Sequence, residues 1–340
     1  MRGRAALVAL GLAAGQGAGQ GAAADGLRLA LLHSELSREG PGLLLRDAAE
    51  GRAPVAAIIA RIVAARPDAL MLAGLDHDAE GLALAAIQAR LAEAGHPMPH
   101  ALHPPTNAGL PSGLDLDGDG RPGEPEDAHG WGRFRGQGAF ALLAAHPLEP
   151  RADLSAREWG AAAPPGEEGR RVSSSAHVSA DLVLPEGRLT LVAFHADAPA
   201  FRPTSPLRNA AELALGAELV EGACPAFAVL AVTNLDPADG DGIGGAMRAF
   251  LDRPDLRDPR PAAPPSHSDP GHEGDPALDT ALFDGPSGPG GLRTDYVLPA
   301  AVLPIAGAAL ERPADPADPS RHALVRVDLA LPDALPPCEP

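Results

Sequence analysis

The chain contains no lysine: its 27 basic residues are all arginine, set against 45 acidic ones, for a formal net charge of -18 at pH 7. No basic stripe runs through it, which argues against a protein that grips nucleic acid by releasing counterions. A phosphate substrate is not excluded, because a bound divalent cation can reverse the local field. The chain also lacks an apolar run long enough to span a bilayer. The nearest is "AALVALGLAA", residues 5–14, which follows Arg2 and Arg4 and precedes small residues ending at "AAA" before Asp25. That order reads as an export signal over 1–24, with a mature chain starting near Asp25 in the periplasm or outside the cell. Cysteine is nearly absent as well: Cys224 and Cys338 allow a single pair, which would tie the C-terminal tail to the body in an oxidising compartment. Without geometry the pairing stays open.

No internal repeat and no clean linker appears. With 340 residues and 45% apolar content the chain can bury one large core or two small ones. The simplest division is one domain over 25–332, with long surface loops, and a tail over 333–340. "RLALLHS" (28–34) reads as a buried strand, and Val55, Ile58, Ile59, Ile62 and Val63 fall at helical spacing before Pro67. "DALMLAGLD" (68–76) reads as a strand and 79–95 as an amphipathic helix, an α/β opening. Further strands are expected at 138–144, 177–184, 188–195, 227–234, 294–299 and 322–329, with helices near 207–221 and 243–252.

Between them, 103–136 forms a Pro-, Gly- and Asp-rich insertion containing "LDLDGDGRPGEPED". Asp115, Asp117, Asp119, Gly120 and Glu126 match the D-x-[DN]-x-[DN]-G-x5-E spacing of a calcium loop, where carboxylates converge on one hard cation and glycine permits the turn. Pro122 and Pro125 forbid the flanking helices of a sensor hand, so the expected role is a structural calcium clip.

Polar residues close several strands, where α/β sites usually form. These are Gly74 with Asp76, His195 in "LVAFHADAP", Asn234 in "AVTNLDP", and His322 opening the last strand in "SRHALVRVDL". Alone, each reads more readily as structural than as catalytic. Their order resembles the endonuclease/exonuclease/phosphatase family, metal-dependent phosphoesterases that include deoxyribonuclease I-like enzymes and sphingomyelinases. "RLALLHS", "RPDALMLAGLD", "GQGAFALLAAHPL", "SSSAHV" and "LRTDYVLP" carry the likeness along with those words, which is greatest to an exported bacterial branch.

The resemblance implies a four-layer α/β/β/α sandwich, two mixed β-sheets flanked by helices. It implies a divalent metal, magnesium or manganese, that polarises a phosphodiester, with a histidine-aspartate pair activating water. By that likeness His322 matches the general-base histidine of an S-D-H word, His195 the histidine of an H-x-x-P region, and Asn234 the asparagine of G-D-x-N. Asp295 matches the aspartate of a D-Y word. The chain departs from the family at four places: Gly74 stands for a metal-ligating glutamate, Val232 for an aspartate, His33 for an asparagine and Arg321 for the aspartate of S-D-H. Gly74 and Val232 offer the metal no oxygen, and Arg321 beside His322 would disfavour the imidazolium that an aspartate would favour. Asp76, two residues from Gly74, and Asp236 are substitute ligands by position, and His33 suits a softer metal. The sequence therefore points to an exported pseudoenzyme or weak enzyme with a degraded metal site. An active metal-dependent phosphodiesterase with substitute ligands is the alternative, and a calcium-stabilised extracellular binding protein the third.

Overall fold

In the computed structural model, which describes residues 26–161, 163–285 and 288–338, the apolar runs become strands and helices in the order β1 (Gly26–His33), α1 (Leu43–Glu50), α2 (Ala53–Ala65), β2 (Ala69–Leu75), α3 (Leu82–Glu93), β3 (His100–Leu102), β4 (Ala139–Ala144), β5 (Leu148–Asp153) and β6 (His177–Leu184). There follow β7 (Gly187–His195), α4 (Ser205–Glu221), β8 (Phe227–Val232), α5 (Gly244–Leu251), β9 (Ala281–Phe283), β10 (Gly290–Leu292), β11 (Asp295–Pro299), β12 (Ile305–Glu311) and β13 (Leu324–Ala330). The leader expected over 1–24 lies outside the described residues. Among the described residues no helix is long and apolar enough to cross a membrane.

A six-stranded sheet is ordered β12-β13-β1-β2-β4-β3 and a five-stranded one β11-β8-β7-β6-β5, while β9 and β10 form a small ribbon. Each large sheet is mixed, with β1 parallel to β2 and β7 parallel to β8. Alternation along the strands sorts the side chains into layers. Leu29, Leu31, Met71, Phe140 and Leu142 face the core between the sheets, together with Leu191, Leu230 and Val297. Their neighbours Ala30, Leu32, Leu70, Leu72 and Leu143 pack on the other face against Leu44, Ile58, Ile62, Ile87 and Leu91 of α1 to α3. On the far side α4 covers the second sheet, and Gly216 lets it settle: a Cβ there would come within 2.5 Å of the Phe194 ring. The result is a four-layer sandwich of helices, sheet, sheet and helices.

The sequence reading missed α1, the edge strands β5 and β12, and the short β3, β9 and β10. α1 spans only eight residues between the left-handed Gly42 and Gly51, too short to show a helical period. β5 carries Pro150 and is largely exposed, and β12 is Ala- and Gly-rich, so neither has the apolar alternation of an inner strand. α3 starts at Leu82 rather than 79 because the Asp78 carboxylate accepts the Leu82 and Ala83 amides, which sets the first turn.

Cys224 and Cys338 are disulfide-bonded, with Cα atoms 4.9 Å apart and a sequence separation of 114. The crosslink fastens the tail, which also docks through the Leu335 amide onto the Glu186 carbonyl. On the chain-entropy model, closing a loop of this size in the unfolded chain is worth roughly 5 kcal/mol.

Candidate functional site

The parallel pairs β1/β2 and β7/β8 end at the same edge of the sandwich, bringing strand ends from both sheets together. His33 closes β1 opposite Ala73, and His195 closes β7 opposite Val232, which also pairs with Asp295 at the start of β11. His322 lies just before β13, bridged to Ala281. The Ser320 hydroxyl donates to the His33 carbonyl at 2.6 Å, so the last strand is moored to the first beside the site.

Nδ1 of His322 donates to Oδ2 of Asp295 at 2.8 Å, with both residues buried. Asp295 is fixed in turn by the Thr280 hydroxyl, which takes its backbone amide, and by the Thr294 hydroxyl on Oδ2. The His33 ring lies 4.4 Å from that of His322 at a tilt of 31°, and 5.3 Å from that of His195, edge-on at 86°. Burial, reinforced by the other two histidines, holds His33 well below the ordinary imidazole range. Burial likewise lowers His195 to about 4. A cavity of about 590 Å³ opens over these rings, with Glu35, Trp131, Ser174, Asp197, Asn234 and Arg321 around it.

The structure thus brings together His33, His195, His322, Asp295 and Asn234. Asn234 sits past the end of β8 in a left-handed backbone, φ 50°, and donates to the Ala196 carbonyl at 2.8 Å. Val232 is completely buried in the apolar core. Gly74 occupies a bulge: Ala73 pairs with Phe140 and Leu75 with Ala139, leaving Gly74 unpaired at φ 73°.

Several expectations are corrected here. Asp76 is not poised as a substitute ligand: its carboxylate accepts the Ser37 hydroxyl at 2.6 Å and the Arg38 amide at 2.9 Å, and it lines a different cavity. β2 ends at Leu75, so Asp76 lies beyond the ladder whose two-residue period the expectation used. Asp236 is likewise committed to backbone, accepting the Ala238, Asp239 and Arg293 amides. Arg321 does not confront His322 as a free charge. Its guanidinium and amide bind Glu35, and it lies 5.1 Å over the Phe283 ring.

In the acidic insertion Glu126 turns away to accept the Trp131 indole, and the carboxylates that meet are Asp115, Asp117 and Asp127, or Asp117, Asp119 and Glu124. Asp127 displaces Glu126 because it is needed inside: its carboxylate accepts the amides of Leu116, Gly123 and Glu124. Asp115, Asp117 and Asp119 also accept backbone amides of the loop.

Two carboxylates that the sequence did not single out belong to the site, Glu212 behind the cavity wall and Glu35 in it. Glu212 of α4 accepts the amide and hydroxyl of Ser174 and the amide of Asp197, and burial pushes its carboxyl up to about 7. Glu35 has a left-handed backbone, φ 48°, and no sequence pattern marks it.

No family model and no curated protein matches this sequence. Solved structures do match. An endonuclease/exonuclease/phosphatase protein from Beutenbergia cavernae is similar at 17% identity, with 89% of this chain and 71% of that one covered at a TM-score of 0.56. The human Nocturnin catalytic domain, solved with a bound sulfate anion, is 14% identical over 89% of this chain and 93% of its own, TM-score 0.52. A family protein from Leptotrichia buccalis gives 11% identity, 89% and 99% coverage, and a TM-score of 0.52. The chain has the endonuclease/exonuclease/phosphatase fold.

The hard divalent cation usual for that fold does not suit the residues present here. Magnesium takes oxygen ligands in a near-octahedral shell. At position 74 there is no side-chain oxygen, and a Cβ would lie 2.9 Å from the Glu35 amide nitrogen and 2.9 Å from the His33 ring. Among the described residues, no three carboxylate or imidazole groups of the histidine pocket bring their donor atoms within 4.8 Å of one another.

Proposed function

We propose that this protein is an exported derivative of a phosphoesterase fold whose magnesium-type chemistry has been lost, leaving a weakly active or non-catalytic binding pocket. The observation that carries this reading is the Gly74 bulge, whose backbone has no room for the acidic side chain that the family places there. Charge acts in the same direction. The one arginine lining the cavity, Arg321, is paired with Glu35, and Asp197 is paired with Arg208, so the lining offers an anionic diester no free positive charge. The leader and the Cys224–Cys338 bond are both what an oxidising compartment outside the cytoplasm favours.

The buried Asp295–His322 pair favours the second reading, an active metal-dependent phosphodiesterase, because an oriented imidazole is a competent base. A sweep of magnesium, manganese, calcium and zinc with an activated diester and with plasmid DNA separates the two. We expect no turnover that depends on magnesium or manganese and is lost in His322→Ala. Such turnover, if seen, rejects the proposal.

The acidic loop belongs to this reading as an ordering element rather than a sensor. A calcium ion there would use Asp117, which both carboxylate groups share. Calcium should then raise the melting temperature by a few degrees and Asp117→Ala should remove the rise. An unchanged melting curve for the unmodified protein removes calcium from the account, with the loop held by its own amide-carboxylate bonds.

A further inference from the structure

We infer that the histidine pocket is a site for a borderline divalent metal ion of the zinc class, ligated by the imidazoles of His33 and His195 with His322 beside them. The inference rests on the loss of the hard-cation ligands argued above, and it asks what the replacement residues can do instead.

His33 brings a nitrogen donor to the end of β1, where it meets two other rings. Two imidazoles on one tetrahedral ion, with metal-nitrogen bonds of about 2.0–2.1 Å, have ring centres about 5 Å apart. The His33–His195 separation is 5.3 Å and the His33–His322 separation 4.4 Å. The rings are also short of partners. Nδ1 of His33 and Nδ1 of His195 are buried and make no hydrogen bond. A buried polar nitrogen left unmatched is destabilising, and a ligand at the ring can recover that loss.

His322 differs in having its Nδ1 hydrogen anchored on Asp295 at 2.8 Å. A carboxylate behind an imidazole is the arrangement that orients and strengthens a metal-binding histidine. The lining carboxylates Glu35 and Asp197 are already paired with Arg321 and Arg208, so selectivity falls to the donor atoms rather than to net charge. Nitrogen donors then select among cations: imidazole suits zinc, copper, nickel or cobalt and offers little to magnesium or calcium. No three donor atoms of the pocket meet within 4.8 Å among the described residues, so an arriving ion draws the rings inward or completes its shell with water.

Cobalt(II) reports this directly, because its visible bands depend on donor type and coordination number. The metal-free protein is titrated with Co2+ and the adduct then challenged with Zn2+ and Mg2+. One Co2+ per chain should give visible bands of a low-coordinate nitrogen site, bleached by Zn2+ and untouched by millimolar Mg2+. His33→Asn and His33→Ala should each weaken binding about tenfold or more. The double variant His77→Ala/His103→Ala removes the other close imidazole pair, 4.5 Å apart, and should leave the bands intact. Circular dichroism confirms that each variant is folded, and the asparagine variant keeps a side chain in place should alanine fail. The inference is overturned by the absence of any Co2+ band, by bands that survive both His33 variants, or by bands lost with His77 and His103. Binding without diester turnover upholds both this site and the non-catalytic reading. Zinc-dependent turnover that requires His322 would uphold the site and overturn that reading.

Discussion

At pH 5 the ion-free protein is expected to melt on the order of 5–10 °C lower than at pH 7. The cause is buried histidine. His177 sits between the Ser173 hydroxyl and the Glu212 carbonyl, stacked on Phe194, and burial lowers it from 6.5 to about 3. His103, both ring nitrogens buried without partners, is lowered to about 4, again first by burial and then by His77. In each case the unfolded chain takes up its proton near 6.5, before the folded chain will. Stability is therefore complete above 6.5 and falls as the pH drops from 6.5 toward 4. At pH 5 each such histidine weighs about 2 kcal/mol against the fold. His195 and His33 add to the loss in the same direction while no ion holds them.

One group opposes them. Burial raises Glu212 from 4.5 to about 7, so its folded form prefers the proton, and stability is gained as the pH falls through 7 toward 4.5. That gain, about 2 kcal/mol by pH 5, cancels roughly one histidine and leaves a net loss of several kcal/mol. Against a typical total of about 5–15 kcal/mol, this is a large fraction. Melting curves between pH 4.5 and 8 with chelator present test it, and His177→Gln should flatten the slope. Equal melting temperatures at pH 5 and 7 would show that these rings titrate normally.

The inner strands were legible because they are buried on both faces. β2 has every residue buried, and a continuous apolar run of that length has few other uses. The edge strands β5 and β12 carry no such signal, since half of what defines an edge is a neighbour far away in sequence. The site divides the same way. His195, Asn234 and His322 could be singled out because they close or open strands, and strand ends meet at one edge of such a fold. Asp76 misled because counting in twos assumes that the ladder continues, and β2 ends at Leu75, one residue before it. Glu35 and Arg321 could not be paired from sequence at all: they are 286 residues apart and meet only because β13 lies beside β1.

Gly74 fixes how reversible the loss of chemistry is. Gly74→Glu would restore the family's acidic side chain, yet it is expected to cost about 3 kcal/mol, lower the melting temperature by several degrees, and produce no magnesium-dependent hydrolysis. Part of the cost is conformational: at φ 73° any residue other than glycine is strained by about 1–2 kcal/mol. The rest is contact, because the new Cβ would approach the Glu35 amide nitrogen and the His33 ring, each at 2.9 Å. The two obstacles are not equivalent. A ring can rotate away, and the double variant Gly74→Glu/His33→Asn should recover the part of the loss due to His33. The backbone at Glu35 cannot move without disturbing its own left-handed conformation and the Arg321 pair it makes. The double variant should therefore stay less stable than His33→Asn alone, with Val232 still offering no oxygen. Full recovery of stability together with magnesium-dependent turnover would mean that β2 can straighten at residue 74, and that only side chains separate this pocket from an active one.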